Sequence, residues 1–138
     1  MSSSHRDFEH GLRVYWEDTD AGGVVFYANY LKFFERARTE WLRALGFEQE
    51  RMRREDGVMF VVSSTALRYL SPARLDDFLQ VSVALREQGR VSMTLVQQAR
   101  RGDVLLAEGE IRIGCVDSRT FKPTRIPAAI LQALAPSR

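Results

Sequence analysis

The chain has a single cysteine, two histidines, two lysines and four prolines among its 138 residues, and none of its apolar runs approaches the ~20 residues of a membrane span. With Cys115 alone, neither a disulfide framework nor a cysteine-based metal site can be built, and a reducing compartment is the natural inference. His5 and His10 fall in the polar opening MSSSHRDFEH, which reads as a flexible tail over residues 1–10 rather than a ligand pair, so neither metal nor cofactor is expected. The opening also lacks a signal-peptide core, which makes the expected location cytoplasmic. Eighteen of the twenty cations are arginine and the formal charge is +2. Arginine suits bidentate contact with phosphate or carboxylate, but no basic block alternates with aromatics as a nucleic-acid surface requires. A small polyanionic ligand fits better than nucleic acid.

At 45% hydrophobic and 28% charged residues the composition is that of a globular protein, and the length is that of one domain, placed at residues 11–135. The segment GLRVYWED alternates Leu12, Val14 and Trp16 against polar neighbours, the period of a strand with one buried face. From residue 28 to 45 the period becomes helical, with Tyr30, Phe33, Phe34, Ala37, Trp41 and Leu45 on one broad arc and Gly46 as the stop. Arg38 falls inside that arc one turn from Glu35, which predicts a paired, partly buried arginine.

The segment FEQERMRREDG reads as a polar linker, and MFVVSSTALRYL, DDFLQVSVALRE, RVSMTLVQQARR and DVLLAEGEIRIGCV read as four antiparallel strands. SPAR joins the first two, and Gln88-Gly89 and Arg101-Gly102 sit where hairpin turns belong. A short helical patch follows Ile126, with proline in its first turn. One long apolar helix with one antiparallel sheet makes an α+β fold whose simplest packing wraps the sheet around the helix. Strands this apolar leave an awkward outer face, so a second copy packing edge to edge or sheet to sheet is expected.

The chemistry concentrates in EDTDAGGVVFYANY, residues 17–30. A helix N-terminus presents unpaired N–H groups and about half a positive charge, which polarises a carbonyl oxygen. Gly22-Gly23 lets the backbone turn and lets a ligand atom come close. A carboxylate near a carbonyl carbon held in this way attacks it or activates water against it. A thiolate departs near neutral pH without a strong general acid, since thiols have pKa values of about 8.5. Thioesters therefore suit the site. The same acids, taken by spacing alone, also serve as helix caps. Arg101-Gly102-Asp103 matches a cell-adhesion tripeptide by chance in a hairpin turn, and Ser63 and Ser64 lack the strand-to-helix elbow of a serine hydrolase.

DTDAGGVVFYANYLKFFERAR resembles the signature segment of the hot-dog-fold acyl-CoA thioesterases of the 4-hydroxybenzoyl-CoA thioesterase family. The DAGG run, FFERAR and YLSPARLDDFLQV are similar to the branch of that family associated with the bacterial Tol-Pal system. The resemblance spans roughly residues 10–130. It implies a long central helix wrapped by a five-stranded antiparallel sheet with a short C-terminal helix. By the same resemblance Asp20 is the catalytic carboxylate and Asp18 structural, the backbone N–H of Tyr27 polarises the carbonyl with Gly23 nearby, and Arg90, Ser92 and Lys122 hold the nucleotide end. It further implies a site shared between protomers of a homodimer or homotetramer. Members of the branch carry histidine at the position of Tyr27, whereas aromatic-substrate members carry tyrosine, as here. A role played by the backbone N–H survives the exchange.

The expected activity is hydrolysis of an acyl-CoA to free acid and coenzyme A, with Asp20 as nucleophile or general base. The rival is a non-catalytic module of the same fold that binds acyl-CoA or an acyl-carrier protein. A hot-dog hydratase wants an Asp/His pair, and both histidines lie in the tail.

Overall fold

The computed structural model describes residues 8–135. Five strands, β1 (Phe8–Arg13), β2 (Val58–Tyr69), β3 (Phe78–Gln88), β4 (Ser92–Arg101) and β5 (Val104–Asp117), form one antiparallel sheet in the order β1-β3-β4-β5-β2. Three helices accompany it: α1 (Asn29–Ala44), α2 (Gln49–Arg51) and α3 (Ala128–Leu134). This is the α+β arrangement expected of the hot-dog fold.

Helix α1 buries Tyr30, Phe33, Phe34, Ala37, Trp41 and Leu42 on one face, as their spacing requires, and Gly46 ends it at φ +98°. Phe33 and Phe34 are fully buried, each stabilising the fold by about 1.5–3 kcal/mol. The helix comes down on the sheet at Gly109. A β-carbon there would lie 2.5 Å from Leu67 Cδ2 and 3.0 Å from Phe34 Cε2, so the absent side chain sets the helix-to-sheet distance.

Three expectations are corrected. The first strand begins at Phe8 and ends at Arg13, so Phe8, Glu9 and His10, read as tail, pair with β3 at Val83, Ser82 and Val81. Trp16, read as facing the core with Leu12 and Val14, is 79% exposed, because a 3-10 turn over Trp16–Asp18 interrupts the alternation. The polar linker is not featureless: α2 runs into a π-helical turn, Met52–Asp56, anchored by the buried Met52. SPAR joins β2 to β3 as expected, and the two strands it links do not pair with each other, since β2 pairs with β5 while β3 pairs with β1 and β4.

The outer face of the sheet is more polar than the strand composition suggested. Arg68 pairs with Glu108 at 2.6 Å and Arg86 with Glu110 at 2.7 Å. Among the described residues strand β2 is an edge of the sheet. Among the described residues no helix is long and apolar enough to cross a membrane.

Candidate active site

The loop between β1 and α1 is built as a small hairpin. Thr19 bridges Val25, the Asp20 N–H donates to the Val24 carbonyl at 2.9 Å, and the Gly23 N–H donates to the Asp20 carbonyl at 3.1 Å. Gly23 sits at φ +80°, a conformation that costs a residue with a β-carbon. Asp20 Oδ1 accepts the Gly22 N–H at 2.8 Å, an Asx turn of the kind that aspartate makes two residues before glycine. The two glycine N–H groups are thus engaged inside the turn, and the carboxylate of Asp20 is exposed at its tip.

Asp18 plays a different part. It is 4% exposed; its Oδ2 accepts the Tyr15 N–H at 2.8 Å and its Oδ1 accepts Asn29 Nδ2 at 2.6 Å. The Phe26 N–H donates to its carbonyl at 2.9 Å. One acid therefore ties the start of the loop to the head of α1, while the other stands free of the core.

Tyr27 lies in the turn that feeds α1, whose first residue is Asn29. Asn29, Tyr30 and Leu31 donate to the carbonyls of Phe26, Tyr27 and Ala28, so the chain tightens before the helix begins. The N–H groups of Tyr27 and Ala28 have no acceptor among the described residues. They are the orphan donors of a helix start. Val24, opposite Asp20, is three residues and no more than about 10 Å of chain from Tyr27.

Beside this turn lies a groove of about 260 Å³ lined by Val25, Tyr27, Tyr30, Tyr69, Leu70 and Ser71. Asp20 is not among its lining residues. The Tyr27 and Tyr69 rings meet edge-on at 6.2 Å, and Tyr30 and Tyr69 lie 5.6 Å apart. Burial pushes the Tyr30 hydroxyl above its ordinary pKa, opposed by the hydrogen bond from Ala73, and Tyr69 is raised by desolvation and by the neighbouring Tyr27. The β2–β3 crossover supports the whole loop: the Val25 N–H donates to the Ala73 carbonyl at 2.8 Å and the Ala73 N–H donates to the Tyr30 hydroxyl at 3.3 Å.

Arg90, Ser92 and Lys122 are brought together, but at the other end of the sheet. The Ile126 N–H donates to the Arg90 carbonyl at 2.9 Å, and the Asp117 N–H to the Lys122 carbonyl at 2.8 Å. Ser92 Oγ accepts Arg112 Nη2 at 3.0 Å. Ser92 stands opposite Gly114 and Tyr69 opposite Ala107, seven residues of β5 and about 23 Å apart. Within this chain the Asp20 loop and the basic end do not form one site.

A model of the thioesterase-like superfamily matches residues 14–134. The acyl-CoA thioesterase YbgC of Haemophilus influenzae is 41% identical over 91% of this chain and 93% of its own. The acyl-CoA thioester hydrolase YbgC of Escherichia coli O6:H1 is 42% identical over 90% of this chain and 92% of its own. Among solved structures, the "Probable Thioesterase" of Bartonella henselae superposes with a TM-score of 0.84 at 31% identity, over 87% of this chain and 98% of its own. The chain belongs to the thioesterase-like superfamily.

In this thioesterase the basic end is richer than the sequence suggested. Arg112, Arg119 and Arg125 are exposed there with Arg90 and Lys122. The nearby Asp117 is turned inward on its own loop: its Oδ1 accepts the N–H groups of Arg119 and Thr120, which hold its carboxyl below the usual range. The strand alternation that places Arg112 beside Ser92 was the available signal. Tyr69 and Tyr30 went unread because their meeting depends on the crossover.

Arg38 is partnered, though not by Glu35. Its Nη1 donates to Gln97 Oε1 at 2.9 Å, and Glu35 is absent from the ion pairs of the described residues. The paired, half-buried arginine was legible; its partner on β4 was not. Burial lowers the Arg38 pKa and the Glu35 charge opposes that shift.

Proposed function

We propose that this thioesterase hydrolyses the thioester of an acyl-CoA, with Asp20 as nucleophile or general base and the Tyr27 N–H as the donor that polarises the acyl carbonyl. The observation that carries the reading is the pair of unengaged N–H groups at Tyr27 and Ala28, at the head of a buried helix and next to a loop that holds a carboxylate clear of the core. In such a setting a carbonyl oxygen gains charge as the tetrahedral intermediate forms, and fixed donors favour that state over the ground state. The names of the two bacterial relatives agree with acyl-CoA as the substrate.

The nucleotide end of the substrate belongs with Arg90, Ser92 and Lys122, joined by Arg112, and the arrangement calls for a second copy. Strand β2 is a twelve-residue edge with one charged residue, Arg68, and such an edge is a template for pairing. A two-fold antiparallel pairing through β2 sets the partner's Val58 end beside this protomer's Tyr69 end. The partner's basic end then approaches this protomer's Asp20 loop. A homodimer, or a homotetramer of such dimers, completes two equivalent sites.

The hydrogen bond from Gly22 to Asp20 Oδ1 favours one rival, a non-catalytic binder of acyl-CoA or of an acyl-carrier protein in which Asp20 only shapes the turn. A thiol-release assay over short aliphatic, long aliphatic and aromatic acyl-CoAs separates the two. Hydrolysis with Asp20→Asn reduced at least about a hundredfold and its melting unchanged supports catalysis. Saturable CoA binding with no thiol released supports the binder, and full activity in Asp20→Asn removes that residue from the mechanism.

A further inference from the structure

The tripeptide Arg101-Gly102-Asp103 takes no part in that chemistry, yet its arginine is engaged on the side of the molecule that carries Asp20. Arg101 is the last residue of β4, and Gly102 turns the chain at φ +58°. One nitrogen of the guanidinium, Nη1, donates both to the Pro72 carbonyl at 3.2 Å and to Asp77 Oδ2 at 2.9 Å. Both acceptors belong to the segment 70–77 that carries the chain from β2 to β3. The side chains of Arg101 and Asp77 are 34% and 23% exposed, so water and salt screen the pair less than one standing free on the surface. These contacts lie within the chain and do not depend on how a second copy covers β2.

By meeting Pro72 and Asp77 with the same nitrogen, Arg101 draws the stretch between them into a closed staple. Asp77 tightens it: its Oδ2 also accepts the Arg74 N–H at 2.9 Å, and its own N–H donates to the Arg74 carbonyl at 3.1 Å. Inside the staple lie the two residues that meet the Asp20 hairpin. Arg74 bridges Val24, and the Ala73 carbonyl accepts the Val25 N–H at 2.8 Å. The Val24 carbonyl in turn accepts the Asp20 N–H. Contacts thus run without a break from the guanidinium through the crossover to the backbone of Asp20. The buried Tyr30 hydroxyl supports the same crossover from below; burial raises its pKa, and the charges of Arg101 and Asp77 act on it with opposite signs. Loss of the guanidinium frees the crossover to shift, and a misplacement of about 1 Å at a reacting group costs about a hundredfold in rate.

We propose that Arg101 is a positioning residue: by clamping Pro72 to Asp77 it holds the crossover, and through it the Asp20 hairpin, in the geometry that hydrolysis requires. The inference rests on the reading of Asp20 given above and adds what keeps that residue in place. The contacts of Arg101 are with the crossover rather than with Asp20 or Tyr27, so its substitution moves the loop and removes no reacting group.

Two measurements on the full chain test the assignment in the wild type, Arg101→Met and Arg101→Lys, well below their melting temperatures. One is amide hydrogen exchange by NMR at Asp20 and Val25, whose N–H groups close the hairpin and tie it to the crossover. The other is steady-state thiol release from butanoyl-, palmitoyl- and benzoyl-CoA. Arg101→Met is expected to quicken exchange at Asp20 and Val25 by about tenfold while Leu95 and Ile111 in the sheet keep their protection. Its kcat should fall by about ten- to a hundredfold with KM within about twofold, since the nucleotide end is held elsewhere. Lysine also offers a single charged nitrogen with several donors, so Arg101→Lys should recover most of both losses. Arg101→Gln, too short to reach both acceptors, serves if the methionine variant melts early. Unchanged exchange at Val25 overturns the clamp, as does quickened exchange with kcat unmoved, or a lysine variant no better than methionine. A wild type that releases no thiol sinks the acyl-CoA reading instead, and the clamp then stands or falls on exchange alone.

Discussion

Asn29 Nδ2 donates to Asp18 Oδ1 at 2.6 Å, and that bond fastens the far ends of the loop that carries Asp20. Both residues are buried, at 8% and 4% exposure. A carboxylate in such a place needs its donors, because hydrogen bonds to a charged group are worth about 1.5–3 kcal/mol and their loss strands the charge. Asn29→Ala is therefore expected to destabilise the fold by about 2 kcal/mol in urea titration. Asn29→Asp should be worse near neutral pH, because it sets a second carboxylate against the first where a donor stood. An Asn29→Asp protein as stable as the wild type at pH 7 would refute this role.

The seat of α1 on the sheet gives a second prediction. Around Gly109 a β-carbon meets Leu67 Cδ2 at 2.5 Å, with Ile111 Cδ1 and Phe34 Cε2 each at 3.0 Å. Two of these atoms are tips of aliphatic side chains and can shift, but Phe34 is fixed in a helix that cannot rise without opening the core. Gly109→Ala should lower stability by about 1–3 kcal/mol through overpacking. Thermal melts would show it, and a neutral result would mean that the helix moves freely on the sheet.

Local pattern revealed the parts of this molecule that local forces decide. The spacing of Phe33, Phe34, Ala37 and Trp41 marked α1, and alternation marked four strands close to their observed limits. The Asp20 turn was legible in outline, since aspartate followed at two residues by glycine invites an Asx turn. Other features depend on distance in the chain. Trp16 continued a period of two that the 3-10 turn breaks, and the helical turn before β2 was hidden because Met52 alone anchors it. Gln97, the partner of Arg38, lies 59 residues away and became a neighbour only through the strand order. The gap between the Asp20 loop and the basic end likewise follows from the crossover between β2 and β3, which no window of sequence displays.

Gln97 holds a third prediction because it is fully buried and fully engaged. Its Oε1 accepts Arg38 Nη1, and its Nε2 donates to the carbonyls of Phe34 at 3.0 Å and Ser82 at 3.3 Å. Gln97→Leu fills the same space but leaves the guanidinium without its acceptor, and should cost about 2 kcal/mol. The cost should fall when the charge is removed as well. Arg38→Met in the Gln97→Leu background is expected to be more stable than Gln97→Leu alone, a coupling that a double-mutant cycle measures directly. Strictly additive effects would show that the two side chains do not depend on each other.

Alkaline pH should weaken the fold through Tyr30. Its hydroxyl accepts the Ala73 N–H, and the Ala73 carbonyl in turn accepts the Val25 N–H, so the residue supports the loop from beneath. Burial raises its pKa in the folded state above the ordinary value of about 10. Below that value both states hold the proton and the contribution is fully present. As the pH rises beyond it the unfolded chain ionises first, and stability is lost until the folded pKa is passed. Tyr69 and Cys115, whose pKa values are also raised by burial, act in the same sense. Tyr30→Phe removes one of these contributions and strands the Ala73 N–H, a loss of about 1–3 kcal/mol at neutral pH. The variant should therefore melt well below the wild type at pH 8 and approach it at pH 11. Melting curves by circular dichroism at several pH values decide the matter, since a gap that stays constant across the range would mean that the buried hydroxyl does not titrate with folding.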